Sequence, residues 1–267
     1  MYFSTHTNLL FVSLLLLAGF AKGVEKTFAP KIKDAISHGS IFLKNDQNKD
    51  GSWGSPHQTK SLNIFAPVPG SHRAFRLAVS ALSLHALLEN QENNATYNKT
   101  ISKGAEYLIS NLGQLRRASP MAIYNVWSHA FGIQALASLH KSDHGKKDKD
   151  AIRDLVQQQI KMLEKYESID GGWGYYDFNA QTKQPSGSSI SFVNGTVLIA
   201  LKDAESLGVK VSEKTVAKAL AAIRRQRLPD NSYLYGEYLK SRPRRGINSP
   251  AGSLGRSHAC NLALQLW

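Results

Sequence analysis

The chain has a single cysteine, Cys260, among 267 residues, so no internal disulfide framework can hold it together and its stability must come from packing. After the first two dozen residues it also lacks any apolar run long enough to cross a bilayer. Acidic side chains are in the minority, 20 against 33 lysines and arginines, which gives a formal net charge of +13 at pH 7. With 42% hydrophobic and 20% charged residues the composition excludes a disordered chain.

The first residues are of another kind. An apolar run from Leu9 to Leu17 is followed by small residues, with Ala21 and Gly23 two apart. That is the pattern of a secretory signal peptide over 1–23 with cleavage after Gly23, an uncleaved anchor being the alternative. The expectation is a secreted or periplasmic chain, with residues 24–267 forming one domain and no transmembrane segment after cleavage. Removal of 1–23 takes away only one charged side chain, Lys22. The basic excess gathers late, in "RRQR" (224–227) and "KSRPRRG" (240–246), and export argues against nucleic acid as its partner. An anionic envelope surface is one partner for this part, and a solvated basic face is the other reading. Three Asn-x-Thr sequons, at Asn94, Asn98 and Asn194, would matter in a eukaryotic secretory pathway.

Self-similarity organises the rest. "QNKDGSWG" (47–54) aligns with "ESIDGGWG" (167–174), and a weaker third copy, "QRLPDNSYLYG" (226–236), aligns with one residue of slack. A helical pattern precedes each copy, at 32–43, 151–166 and 211–226, and a more apolar one follows, at 71–88, 191–207 and 257–267. A further pair, 101–112 and 128–140, lacks the Asp-Gly-Trp loop. The spacing therefore predicts an all-α fold of four helical hairpins, with amphipathic outer helices shielding nearly all-apolar inner ones. The long loops 51–70 and 174–189 are expected to cover one end and shape a site.

Gln47, Asp50, Gly51 and Trp53, with Asp170, Gly171, Gly172 and Trp173, suit a structural rivet. Gly permits a positive φ, Asp braces the turn, and Trp lays a large ring over a neighbouring helix. The Gln47-x3-Gly51-x-Trp53 spacing resembles the QW repeat motif of the prenyltransferase/squalene-cyclase repeat superfamily. The extended "DGGWGYYDF" is similar to secreted, uncharacterised bacterial members. The resemblance implies an α/α toroid. Four hairpins fall short of a closed ring, and Trp267 ends inside an apolar helix, so an incomplete ring truncated at its C-terminus is expected. Departures are Glu167, where the motif has Gln, and the third copy, which lacks Gly and Trp.

The chemistry of that superfamily is not found. Neither Asp-rich acid motif of the cyclases occurs, no Asp/Cys/His zinc motif surrounds Cys260, and the thioester "CGEQ" is missing. No residue set is assigned a catalytic role and no cofactor is assigned. Three inner helices are expected to begin with Ser-His, at Ser71-His72, Ser128-His129 and Ser257-His258, the serine acting as N-cap and Ser191-Phe192 standing in the fourth. If His72, His129 and His258 converge at one mouth they would bind Zn²⁺ or, with Arg73, Arg76 and Arg256, an anion; simple packing is the third reading. Tyr175, Tyr176, Asp177 and Phe178 have no counterpart in the first copy and are candidate ligand contacts. The function expected is an exported protein that binds a hydrophobic (isoprenoid) or glycan ligand in the funnel. The alternatives are an enzyme acting on a cell-envelope isoprenoid or polysaccharide, and a non-catalytic interaction scaffold.

Overall fold

A computed structural model describes residues 30–55, 69–90, 94–177, 184–185, 189–243 and 246–267. The stretch 1–23 read as a signal peptide, Phe178, and much of both long loops lie outside these residues. The chain divides into two compact units, 1–45 and 46–267. In the first, residues 30–45 form a helix, α1.

The second unit is all-α among the described residues, with isolated bridge pairs in place of strands. Its helices are α2 (Pro69–Glu89), α3 (Asn94–Leu112), α4 (Asn125–Lys141), α5 (Lys149–Tyr166), α6 (Ser191–Glu205), α7 (Glu213–Gln226) and α8 (Pro250–Leu266). No described helix is long and apolar enough to cross a membrane.

Two helix types alternate. α5 and α7 bury one stripe each, Ile152, Leu155, Val156, Gln159, Ile160, Leu163 and Tyr166 in the first, and leave their Lys, Glu and Arg to solvent. The even-numbered helices pack side by side in chain order, α2 on α4, α4 on α6 and α6 on α8, while α3, α5 and α7 lie against them. Hydrogen bonds fix their direction. Ser128 Oγ, early in α4, donates to the Ala74 carbonyl, early in α2, at 2.5 Å. Ser138 Oγ, late in α4, donates to Glu89 at the end of α2, at 2.7 Å. Cys260 Sγ reaches the Ser191 carbonyl and Trp267 Nε1 the Leu198 carbonyl, so α6 and α8 also run parallel. A Cβ on Gly195 would stand 2.9 Å from the Ala259 backbone, so glycine is what lets these two helices approach.

α2, α4 and α6 are largely buried, and each keeps one stripe at steps of four and three in contact with solvent. On α4 the residues that keep solvent contact are Trp127, Phe131, Gln134, Ser138, His140 and Lys141, at steps of four and three apart from His140. Phe75, Val79, Leu82, Ala86 and Glu89 repeat the pattern on α2, and Phe192, Thr196, Ile199 and Asp203 repeat it on α6. Three parallel helices thus share one open face. α8 buries only Ser253, Arg256, Cys260 and Ala263, the side that meets α6.

Two expectations at helix starts are corrected. α8 begins at Pro250, behind an N-cap at Ser249 whose side chain accepts from Gly252 N–H, so Ser257 and His258 lie mid-helix. Ser128 is the fourth residue of α4 and bonds to the neighbouring helix, and the α4 cap position is Tyr124 with no side-chain cap bond. Of the three serines only Ser128 bonds to a neighbouring inner helix; Ser71, third in α2, and Ser257 have buried hydroxyls without a hydrogen-bond partner among the described residues.

Candidate functional site

The three Asp-centred loops form the same turn. Asn48, Ser168 and Leu228 donate their backbone N–H to the carbonyls of Ser52, Gly172 and Ser232, at 2.9, 2.8 and 2.8 Å. Asp50 and Asp230 each accept from the backbone N–H and the hydroxyl of the serine two residues on. Gly51, Gly171 and Asn231 all take positive φ, of 89°, 94° and 65°. Asp230, Asn231 and Tyr233 therefore match Asp50, Gly51 and Trp53 without the slack the sequence suggested.

The first two turns are each pressed on the next outer helix. A Cβ at Gly51 would stand 2.2 Å from the Lys103 carbonyl of α3, and one at Gly171 would stand 2.6 Å from the Lys218 carbonyl of α7. Gln47 Nε2 donates to the Gly51 and Thr100 carbonyls, at 3.0 and 2.9 Å. Glu167 takes the Gln47 place and meets α7 through Lys218 at 3.2 Å and Thr215 at 3.5 Å. Burial pushes the Glu167 carboxyl up, with Lys218 pulling the other way. Trp173 is fully buried, its indole N–H donating to the Leu163 carbonyl at 2.8 Å and its backbone N–H to Asn194 Oδ1 at 2.7 Å. Asn194 is itself buried in that bond. Tyr233, also buried, reaches Asn261 of α8 at 2.7 Å.

The histidines do not come together. His129 is fully buried and turned toward α5. Gln159 Nε2 is spent on the Leu155 carbonyl, so Gln159 Oε1 accepts from His129 Nδ1 at 2.7 Å, and His129 Nε2 accepts from Asn125 Nδ2 at 3.2 Å. Both ring nitrogens are used, and burial lowers the imidazole pKa to about 4. His258 is exposed, and His72 is half-buried on α2. Among the described residues no three His, Cys, Asp or Glu side chains stand close enough to share a metal ion. Cys260 is buried, its thiol pushed up to about 12 by burial. The arginines of the anion reading are dispersed as well. Arg76 pairs with Asp50 at 3.0 Å, Arg73 reaches Asn111, and Arg256 donates to the Tyr233 and Ile247 carbonyls.

The second half of the 168–178 stretch separates into two roles. Asp177 is fully buried and paired with Arg117 at 2.9 Å, and its N–H bonds the Met121 carbonyl, so it ties this loop to 121–123. Tyr175 and Tyr176 keep partial solvent contact and join a belt of rings. Phe75 meets Tyr124 at 4.7 Å between centroids, and Tyr124 meets Tyr175 and Tyr176 at 5.8 and 5.5 Å. Tyr175 reaches Trp127 at 6.3 Å, and Trp127 stacks on Phe131 and Phe192, both at 5.6 Å. Phe192 continues to Tyr235 at 5.4 Å, over which the Arg256 guanidinium lies at 5.8 Å.

This belt crosses the N-terminal end of the open face, joining α2, α4, α6 and two of the Asp-centred loops. Phe75, Trp127, Phe131 and Phe192 did not emerge from the sequence as site residues. Phe192 had been set equivalent to His129, yet it faces Trp127 while His129 faces α5. The available signal was the Trp127–Phe131 pair one turn apart on a helix otherwise of Ala, Leu, Ser and Gly.

A scan against protein-family models finds none that matches the chain, and a search of curated proteins finds none of significant similarity.

Proposed function

We propose that this is an exported binding protein with the α/α-toroid architecture of the prenyltransferase/squalene-cyclase repeat superfamily, and that it holds an apolar, isoprenoid-like chain against its open face. The observation that carries the reading is the belt from Phe75 through Trp127 to Tyr235, whose rings other than Tyr124 remain partly solvent-accessible. Below it on α2 lie Val79 and Leu82, each 43% exposed. Leaving such surface wet costs roughly 25 cal/mol per Å², and a ligand that covers it recovers that free energy. The aliphatic continuation favours an apolar chain over a glycan, which would stack on the rings but leave Val79 and Leu82 unmatched. Two equivalent turns pressed on the outer helices α3 and α7, and inner helices that run parallel, support the toroid.

The four tryptophans allow a direct test. Trp53 and Trp173 are fully buried, so Trp127 and Trp267 are the ones a ligand can affect. In a Trp267→Phe protein, farnesol should shift Trp127 emission saturably, and Trp127→Ala, followed by titration calorimetry, should weaken farnesol binding roughly tenfold, about 1.4 kcal/mol, with helicity retained. A titration in which a chito-oligosaccharide binds and farnesol does not would reverse the ligand class. Farnesol affinity unchanged by Trp127→Ala would sink the site.

A further inference from the structure

The open face continues past the rings. On α4 the stripe runs from Trp127 and Phe131 to Gln134, Ser138 and Lys141, and on α6 from Phe192 to Ile199 and Asp203. Both stripes enter a cavity of about 960 Å³ at the C-terminal ends of α2, α4 and α6, within the size range of small-molecule sites. One row of helices thus carries rings at one end and a charged cavity at the other.

The titratable groups lining the cavity are His85, Glu89, Lys141, Asp143, His144 and Asp203. Three carboxylates face one ammonium and two imidazoles, in a chain whose formal charge is +13. Three parallel helices also end there, each adding the partial negative charge of its terminal carbonyls, against one helix, α3, that begins there with Ala95 and Asn98 in the lining. Glu89 is held by Ser138 at 2.7 Å and lies 3.5 Å from His85. Asp203 is half-buried, and no hydrogen bond from a described residue reaches its carboxylate. Burial pushes that carboxyl up, Lys141 and His85 pull it down, and Glu89 pushes it up again. A partly desolvated carboxylate with no donor is a group a cationic ligand would satisfy.

We propose that this cavity is the head-group end of the ligand site and takes a protonated amine, making the ligand a cationic amphiphile with its apolar chain against the rings. The proposal rests on the apolar-ligand reading above and adds the head group and its sign. Trp127 to Ser138 and Phe192 to Asp203 are each eleven residues apart, about 16 Å along a helix, which sets the span between ring contact and head. The sign is the informative part, because a strongly basic chain attracts anions at long range. Preference for a cation must come from the cavity itself.

Dodecylammonium, dodecanol and dodecanoate share one tail and differ in charge. Titrated at pH 7 below their micellar concentrations into the full chain carrying Trp267→Phe, dodecylammonium should bind roughly tenfold tighter than dodecanol, with dodecanoate weakest. Asp203→Asn and Glu89→Gln should each shrink the ammonium preference several-fold while leaving dodecanol affinity in place, and Trp127→Ala should weaken all three. Glu89 is exposed and near a helix end, so Glu89→Gln keeps the test valid if Asp203→Asn perturbs folding. Equal binding of the three, or dodecanoate binding tightest, overturns the head-group proposal and leaves the apolar-chain reading standing. No binding of any of them removes both.

Discussion

Trp173, in the second Asp-centred loop, and Trp127, the third residue of inner helix α4, are the same residue type, yet their surroundings are opposite. Trp173 is sealed, with its indole N–H on the Leu163 carbonyl and its backbone N–H on Asn194. Trp127 sits half-buried between Phe131 and Phe192, stacked on both. The difference separates side chains that hold the repeat together from side chains the repeat leaves partly open to solvent. Replacing each by alanine is the strongest way to break that contrast. Trp173→Ala should cost about 3–5 kcal/mol in urea unfolding, as for other buried large-to-small changes. Trp127→Ala should cost less than about 1.5 kcal/mol and show its effect in ligand titrations. Equal losses of stability would mean the belt is a second core.

The next largest effect tests whether a histidine near the belt belongs to the sealed class. His129 is neutral in the folded protein, with a pKa lowered by burial from 6.5 to about 4. A depressed folded pKa means that stability is complete above the unfolded value and drains away as pH falls from 6.5 toward 4. The shift corresponds to about 3 kcal/mol. Urea midpoints measured at pH 7.5, 6, 5 and 4 should decline over that window, and His129→Gln, which can still bond Asn125 and Gln159, should flatten the decline. A decline of the same size in the variant would assign it to carboxylates instead.

The sealed half of the comparison was largely legible in the sequence, and the open half was not. The amphipathic pattern expected over 151–166 is α5 at Lys149–Tyr166, and that over 211–226 is α7 at Glu213–Gln226. Glycine before a buried tryptophan leaves a readable mark because the turn needs a positive φ and the ring needs a volume few residues supply. The open face leaves none. α4 is apolar nearly all round, so its periodicity cannot say which stripe stays uncovered; only the placement of α2, α5 and α6 decides that. The start of α8 was misread for another reason. Gly252, Gly255 and Arg256 interrupt the apolar pattern, while Ser249 followed by Pro250 is the N-cap and first-turn proline signal that marks the helix start.

Among the sealed loops, Gly171 allows a test of intermediate size. Its φ of 94° disfavours a side chain, and a Cβ would meet the Lys218 carbonyl at 2.6 Å. Gly171→Ala should therefore lose about 1–3 kcal/mol, measured by the urea midpoint at pH 7.5. A loss within 0.5 kcal/mol, roughly the surface-substitution range, would show that the loop gives way and that the close approach to α7 is not fixed.

The smallest effect decides whether the third turn is the same device as the first two. Asn231 occupies the position of Gly51 and Gly171 with φ of 65°, a conformation that asparagine tolerates better than other residues with a Cβ. Its side chain also accepts from Arg227 at 2.7 Å on the surface. Asn231→Gly relieves the left-handed strain but adds unfolded-state freedom and loses that exposed bond, so stability should change by no more than about 0.5 kcal/mol. Asn231→Ala keeps the strain and loses the bond, and should cost about 1 kcal/mol. If alanine and glycine behave alike, the left-handed turn at 230–232 is not held in solution and the repeat has two working copies. If alanine alone is penalised, the third loop is held by the same backbone geometry as the other two, with Tyr233 in the tryptophan's place.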